Sequence, residues 1–264
     1  NKYVPDEQVI QTAREVYSRG WRTIKFYFMI GHPSETLEDV QAIANLCREV
    51  LKVGRKLIGY KATVNVGVST FIPKPHTPFQ WVPQDGKEQV EAKLRLLKSE
   101  LRDDGLHLRW NDFESSDFEG WMSRGDRRLG EVIERAWRMG CQFDAWMDKH
   151  NHTTWLQAFA DEGLDPSFYT TREREITEIF AWDHIDAAVH KKFLVDDYLM
   201  SIKGETRGDC RDQCFACGIL PKFKEIRSQT APESWECPPI KPIGERKRKD
   251  DDETIRIPNV TLLS

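Results

Sequence analysis

The fold of this chain is decided by one stretch, Thr23-Ile24-Lys25-Phe26-Tyr27-Phe28-Met29-Ile30, and by the turn that follows it, Gly31-His32-Pro33-Ser34-Glu35-Thr36. The first eight residues are mostly β-branched or aromatic, which suits a strand. The almost unbroken apolar run beyond residue 25 predicts a strand covered on both faces in a parallel sheet. Gly31 and Pro33 end this strand. Thr36 and Asp39 then offer an N-cap and a first-turn acid to a helix whose apolar periodicity begins at Val40. Ligands of α/β sheets bind at the edge where strands end and helices begin, so a ligand is expected near this turn.

Helices and strands alternate over the first 112 residues. Helical periodicity covers residues 6–19 and 87–103, whereas alternation with a period of two predicts strands at 62–72 and, more briefly, at 106–110. Such alternation predicts parallel strands joined by crossover helices. Three strands are too few to close a barrel, so we predict that residues 1–112 are part of an α/β sheet or barrel.

The composition excludes several classes of protein. Among 264 residues, Lys and Arg number 39 and Asp and Glu 43, a formal net charge of −4. This charge predicts no nucleic-acid or anionic-membrane partner. No apolar segment reaches the roughly 18 residues that a membrane helix needs, and no signal-peptide pattern follows Asn1. A cytoplasmic protein is therefore expected, and the missing initial Met suggests a piece of a longer one.

The second half of the chain has a different character. Residues 113–205 show helical periodicity and many aromatic residues, which predicts short helices packed by their aromatic faces. A cysteine-rich segment spans 206–240, and blocks of alternating charge at 241–264 predict a solvated linker or tail. His150 and His152 resemble a metal-binding pair, but side chains two positions apart do not share a helical face, so no metal is predicted there.

Three cysteines are arranged as Cys-x3-Cys-x2-Cys at Cys210, Cys214 and Cys217. Three thiolates on a tight loop can bind three irons of a 4Fe–4S cluster. The loop lies after the strands, with no βα units behind it. We therefore predict a separate metal site, either an auxiliary iron–sulfur cluster or a structural zinc. Zinc takes four ligands, and Cys237 is the first candidate for the fourth, with His184 and His190 as weaker ones. Two alternatives remain. The cysteines could be reduced thiols packed at a helix end, or they could bind the catalytic 4Fe–4S cluster itself, at an unusual place in the order of the chain.

The segment Phe28–Asp39 resembles the radical S-adenosylmethionine (SAM) superfamily, whose members often carry Gly-x-Pro-x-Glu-Thr-x-x-Asp after a strand of a partial (β/α)6 barrel. The proline-rich segment Phe71–Phe79 is similar to the next strand end of cobalamin-binding and methylthiotransferase-like members. Residues 123–128, 182–186 and 209–217 fit an uncharacterised branch in which a cobalamin-binding domain and the barrel precede a cysteine-bearing extension.

The resemblance implies the C-terminal portion of such a barrel, followed by a mostly helical extension with the cysteine-rich metal loop. It implies SAM as cofactor, a main 4Fe–4S cluster on a motif expected before Asn1, and cobalamin in the full-length protein. The missing N-terminal regions, a reducing electron donor and an unidentified substrate would be the partners, and the chain alone is expected to be inactive. No catalytic residue is implied. One wall of the SAM pocket would be formed by Ile30, Gly31, Pro33, Glu35, Phe71 and Pro73.

Two other functions compete with this one. The chain could be a non-catalytic module in which structural zinc binds the cysteines, or a relative of the RNA-modifying methylthiotransferases. The second requires a basic RNA-binding appendage, which the composition does not show. For Glu35, an alternative to a ligand contact is support of the first turn of its helix.

Overall fold

The computed structural model describes residues 4–146 and 148–231, and these divide into two compact units. The first, which we call the sheet unit, comprises residues 4–73 and 82–174. The second, the C-terminal unit, comprises residues 74–81 and 175–231. Each is described by itself.

The sheet unit contains a parallel sheet of three strands in sequential order, β1-β2-β3. Its strands are β1 Thr23–Ile30, β2 Thr63–Thr70 and β3 Leu106–Trp110. The helices that precede or join them are α1 Asp6–Ser18, α2 Leu37–Ile58 (followed by a short 3₁₀ turn, Gly59–Lys61) and α3 Lys87–Glu100. The prediction of a mixed α/β fold with parallel strands and crossover helices is confirmed.

Helix α2 begins where the sequence predicts. The Thr36 hydroxyl accepts a hydrogen bond from the Asp39 N–H, while the Asp39 carboxylate accepts one from the Thr36 N–H. This capping box satisfies two backbone donors that the helix itself cannot satisfy. It therefore fixes the length of the turn between β1 and α2.

The three helices cover only one face of the sheet. Ile24, Phe26 and Phe28 of β1 and the valines of β2 pack in the same core as the apolar residues of α1, α2 and α3. On the opposite face, Tyr27 is 76% exposed and Met29 is 44% exposed. The prediction that β1 is covered on both faces is therefore wrong. Right-handed crossovers between sequential strands place every helix on the same side, so alternate residues of β1 face away from them.

The rest of the sheet unit is helical and aromatic. It contains α4 Phe113–Arg124, α5 Leu129–Arg138, α6 His152–Asp161 and a 3₁₀ turn at Pro166–Phe168. Its core is built on Trp121, Trp155, Phe159 and Tyr169, as the aromatic periodicity predicts. Three other aromatic side chains of this region are more than half exposed: Trp137, Phe143 and Trp146.

The C-terminal unit has a smaller core. It contains α7 Lys191–Ile202, α8 Ile219–Lys222 and α9 Lys224–Ser228. Trp81, Phe180, Trp182 and Leu194 form the buried cluster, and the indole N–H of Trp182 donates to Gln80 Oε1 at 2.7 Å. The short segment 74–81 therefore supplies this unit with a buried aromatic ring and a buried acceptor.

Candidate functional site

The turn after β1 is held by a carboxylate. Gly31 has a left-handed backbone conformation, with φ of 88°, and its N–H donates to Glu35 Oε2 at 2.7 Å. A Cβ at Gly31 would lie 3.2 Å from Asp85 Oδ2. Both the backbone angle and the lack of space therefore favour glycine at this position.

Glu35 also belongs to a buried group of three charges. Its Oε2 lies 2.7 Å from the Lys93 Nζ, which lies 2.7 Å from Asp85 Oδ2 as well, and the Lys93 and Glu35 side chains are less than one-tenth exposed. Burial disfavours the ammonium group, but the hydrogen bonds and charges of Asp85 and Glu35 outweigh it and raise the pKa of Lys93 above its ordinary value. Lys93 therefore remains charged and links α3 to the turn after β1.

Sequence reasoning missed Lys93 and Asp85. A signal for Lys93 exists, because it lies three positions after Val90 and one before Leu94, on the apolar face of α3. A lysine within a buried stripe requires a carboxylate partner. Asp85 precedes the helix in a loop and carries no comparable signal.

The residues predicted to line a SAM pocket lie at the carboxyl edge of the sheet. The Phe71 N–H donates to the Ile30 carbonyl at 2.7 Å, so the ends of β1 and β2 stay paired. Ile30 is fully buried in the core, and Pro73 is buried, whereas Pro33 and Phe71 are half-buried. The Phe71 ring lies 4.8 Å from the exposed His32 ring. Ile30, Gly31 and Glu35 thus build the edge, while Pro33 and Phe71 are accessible there.

The face of the sheet that the helices leave uncovered is polar and cationic. In the strand register, Tyr27 lies beside Gly67, which lies beside Arg109, and Lys25, Asn65 and His107 form the neighbouring row. The Tyr27 ring lies over Gly67, 3.2 Å from the position a Cβ would take there. Lys25 Nζ is 4.7 Å from the centre of the same ring. This face offers hydrogen-bond donors and an aromatic ring, and no carboxylate stands in either row.

The cysteine loop lies in the C-terminal unit. Cys210 is exposed, Cys214 and Cys217 are half-buried, and all three are free thiols. The Ala216 N–H lies 3.4 Å from Cys214 Sγ and donates to it, and the Cys217 carbonyl accepts the His190 N–H at 2.8 Å. Within residues 4–146 and 148–231, no group of three or more His, Cys, Asp or Glu side chains is arranged to hold a metal ion. Cys237 lies outside the described residues, so metal binding by this loop stays a prediction.

Within the part of the chain that the structure describes, no helix combines the length and apolarity required to cross a bilayer.

Comparison with known proteins adds little about function. No protein-family model matches the chain, and no solved structure matches it. An uncharacterized protein of Methanocaldococcus jannaschii is 28% identical over 145 residues. The match covers 55% of this chain and 31% of that protein, so the shared region is about a third of the relative's length.

Proposed function

We propose that this chain is the C-terminal part of a radical SAM enzyme of the cobalamin-binding type, and that its sheet is one wall of a partial (β/α)6 barrel. The observation that carries the proposal is the sequential order of three parallel strands with α1, α2 and α3 packed on one face. A doubly wound sheet reverses its strand order and places helices on both faces, whereas a barrel wall keeps one order and one helical face. The uncovered face would then be the interior of the barrel.

The polarity of that face supports the proposal. The large side chains of Tyr27 and Met29 remain exposed beside the polar Asn65 and Ser69. This mixture of large and polar side chains suits a surface that lines a ligand cavity better than one that faces bulk solvent. At the carboxyl edge, Glu35 would fix the Gly31 turn, while the half-buried Pro33 and Phe71 would contact SAM.

The cofactors would supply the radical chemistry. When bound, a 4Fe–4S cluster held by residues upstream of Asn1 would supply the electron that cleaves SAM, with cobalamin bound in a preceding domain. This chain's own residues would bind and orient the cofactor and the substrate, and would exclude water from them. Such a protein needs an electron donor and a reducing compartment, and the free thiols of the cysteine loop suit the cytoplasm.

We also propose a separate metal site at Cys210, Cys214 and Cys217, completed by Cys237. The N–H of Ala216 donates to Cys214 Sγ, a contact that stabilises a thiolate ligand. An auxiliary iron–sulfur cluster and a structural zinc both suit these ligands. If the metal is zinc and no upstream cluster exists, the chain would be a non-catalytic zinc-binding module.

The test uses the protein expressed from its full open reading frame. After anaerobic reconstitution with iron and sulfide, the reduced protein is incubated with SAM, and 5′-deoxyadenosine and methionine are measured by chromatography. We expect cleavage by the full-length protein and none by the 264-residue chain alone. A full-length protein that carries no cluster, or that carries one and leaves SAM intact, would overturn the proposal.

Metal analysis of the purified chain separates the two candidate functions. Iron with sulfide indicates an auxiliary cluster and supports the enzyme. One zinc per chain without iron, together with a reading frame that lacks an upstream Cys-x3-Cys-x2-Cys, supports the structural module.

A further inference from the structure

Two histidines and an aspartate form a buried cluster where α4 meets the start of α6, within the sheet unit. The side chains of His150, His152 and Asp117 are 6%, 18% and 11% exposed. His152 Nε2 lies 3.8 Å from Asp117 Oδ2, and the two imidazole centres are 5.9 Å apart. Side chains two positions apart do not share a face within a helix, but His150 precedes α6 and His152 is its first residue. That rule therefore does not apply to this pair.

The imidazoles of this cluster have unsatisfied nitrogens. Both ring nitrogens of His150, and Nδ1 of His152, are buried and have no hydrogen-bond partner among the described residues. Buried polar atoms in folded proteins are almost always hydrogen-bonded, so three such atoms in two neighbouring rings require an explanation. Buried imidazole nitrogens without partners cost stability, so they point to a ligand that these rings bind.

Aromatic side chains pack against both imidazoles. The His152 ring stacks on Trp121 with 5.1 Å between centres and 17° between planes, and the His150 ring lies 4.9 Å from Phe118. Asp144 Oδ1 accepts the indole N–H of Trp155 at 3.0 Å and lies 3.7 Å from His150 Nδ1. The imidazoles are thus held in place by aromatic contacts instead of hydrogen bonds.

This environment brings the pKa values of Asp117 and His152 closer together. Burial raises the pKa of Asp117 to about 6, with Glu114 adding to the effect and a hydrogen bond from Thr170 opposing it. Burial lowers the pKa of His152 below its ordinary value, while the charge of Glu114 opposes the shift. His150 and Lys87 add to the lowering and Asp112 opposes it. Asp117 Oδ2 faces His152 Nε2 at 3.8 Å.

The cluster is also well placed for a ligand. Helix α4, which carries Asp117, begins directly after the carboxyl end of β3, and Lys87 at the start of α3 lies 3.0 Å from Glu114 of α4. The cluster therefore stands at the edge of the sheet where α/β proteins bind ligands.

We propose that Asp117 and His152 form an acid–base pair that holds one proton between them and exchanges it with a ligand at the carboxyl edge of the sheet. The ligand would be a molecule whose hydroxyl, amine or carboxyl group donates or accepts that proton. His150 is the second base of the site and accepts a hydrogen bond from the ligand or from the pair. The inference stands on this cluster and does not depend on radical SAM chemistry.

The stacked indole makes the proton on His152 measurable. An imidazolium quenches the fluorescence of an indole in contact with it, so the pH dependence of Trp121 emission reports its formation. The signal is the difference between the 264-residue chain and its Trp121→Phe variant, recorded from pH 4 to pH 8. We expect a transition below the ordinary imidazole pKa of 6.5 and, in Asp117→Asn, a midpoint lower by about one further pH unit, a tenfold loss of proton affinity.

The matched control is Glu119→Gln, which removes an exposed carboxylate from the same helix and should leave the midpoint unchanged. The same midpoint in Asp117→Asn and in the unaltered chain would overturn the proposal. If Asp117→Asn does not fold, His152→Gln replaces it, and the titration of Asp117 is followed by carboxyl carbon NMR. Its midpoint should then change by more than half a unit, and an unchanged midpoint would overturn the pairing.

Discussion

Glu35 and Lys93 form an ion pair of 2.7 Å at the carboxyl edge of the sheet, although each side chain is less than one-tenth exposed. The pair joins two elements that the sequence separates, the turn after β1 and the middle of α3. Asp85 is the second carboxylate on the same ammonium group. Since one cation holds two anions there, Lys93 is the residue on which the arrangement depends.

Replacing this cation should destabilise the protein strongly. In Lys93→Met, the apolar stem is kept while Glu35 and Asp85 are left without their buried partner. Breaking a buried ion pair in this way costs about 3–5 kcal/mol. Urea unfolding followed by circular dichroism should show a loss of that size in the free energy of unfolding.

The control for this variant is Lys56→Met, on the exposed side of α2, which should change the free energy of unfolding by less than about 0.5 kcal/mol. Equal effects of the two substitutions would show that the buried charges contribute nothing specific.

Replacing each of two helical glycines with alanine should change the free energy of unfolding in opposite directions. A Cβ at Gly54 in α2 would lie 2.7 Å from Ala62 Cβ and 2.8 Å from the Tyr17 ring, whereas a Cβ at Gly130 in α5 meets nothing within 4 Å. Gly54→Ala should therefore lower the free energy of unfolding by about 1–3 kcal/mol through overpacking. Gly130→Ala should raise it by about 0.5–1 kcal/mol through helix propensity. Thermal and urea unfolding of both variants check this, and stabilisation by both would refute the close approach of α2 to Tyr17.

The elements of the sheet unit could be predicted because their signals are local. Apolar runs, alternation and the Thr36 cap each act within a few residues, and β1 and β3 have the predicted bounds. Local signals cannot show which face of a strand a helix covers. The apolar run of β1 therefore predicted burial on both faces, whereas Tyr27 stands exposed over Gly67.

The candidate sites were predictable only where a motif marks them. Gly31 and Glu35 lie in a recognisable turn, and the structure brings them together. Asp117 and His152 are 35 positions apart in the sequence, and no spacing rule relates a residue on one helix to the first residue of another. Their proximity depends on the packing of Trp121, on α4, against His152 and Phe159 of α6, which is a property of the tertiary structure.

The thiols should differ widely in reactivity. Burial raises the pKa of the Cys47 thiol to about 12, and Cys210 is exposed. Because the thiolate is the reactive form, iodoacetamide at pH 8 should modify Cys210 within minutes and leave Cys47 unmodified in the folded protein. Peptide mass spectrometry measures both sites. Added zinc should protect Cys210, Cys214 and Cys217 together if they share a metal, whereas protection of none of them would contradict the metal site.

The raised pKa of Asp117 predicts how its replacement changes stability with pH. The carboxyl titrates at about 6 in the folded protein against an ordinary value of 3.8. The folded state therefore binds this proton more tightly than the unfolded state. The resulting stabilisation is fully present below pH 3.8 and is lost as the pH rises through 6.

Asp117→Asn, which cannot ionise, should escape that loss. Two pKa units correspond to roughly 3 kcal/mol, an upper value for the advantage of the variant at pH 7. His152 has a lowered pKa and acts in the opposite sense, since its contribution is lost as the pH falls below 6.5. The further lowering of the His152 pKa expected in Asp117→Asn makes this loss larger in the variant, so at acid pH it works against the variant. Urea unfolding at pH 4, 5, 6 and 7 should therefore give a difference that moves in favour of the variant as the pH rises and is largest at pH 7. A difference that stays constant over this range would mean that Asp117 ionises in the folded protein as an exposed aspartate does.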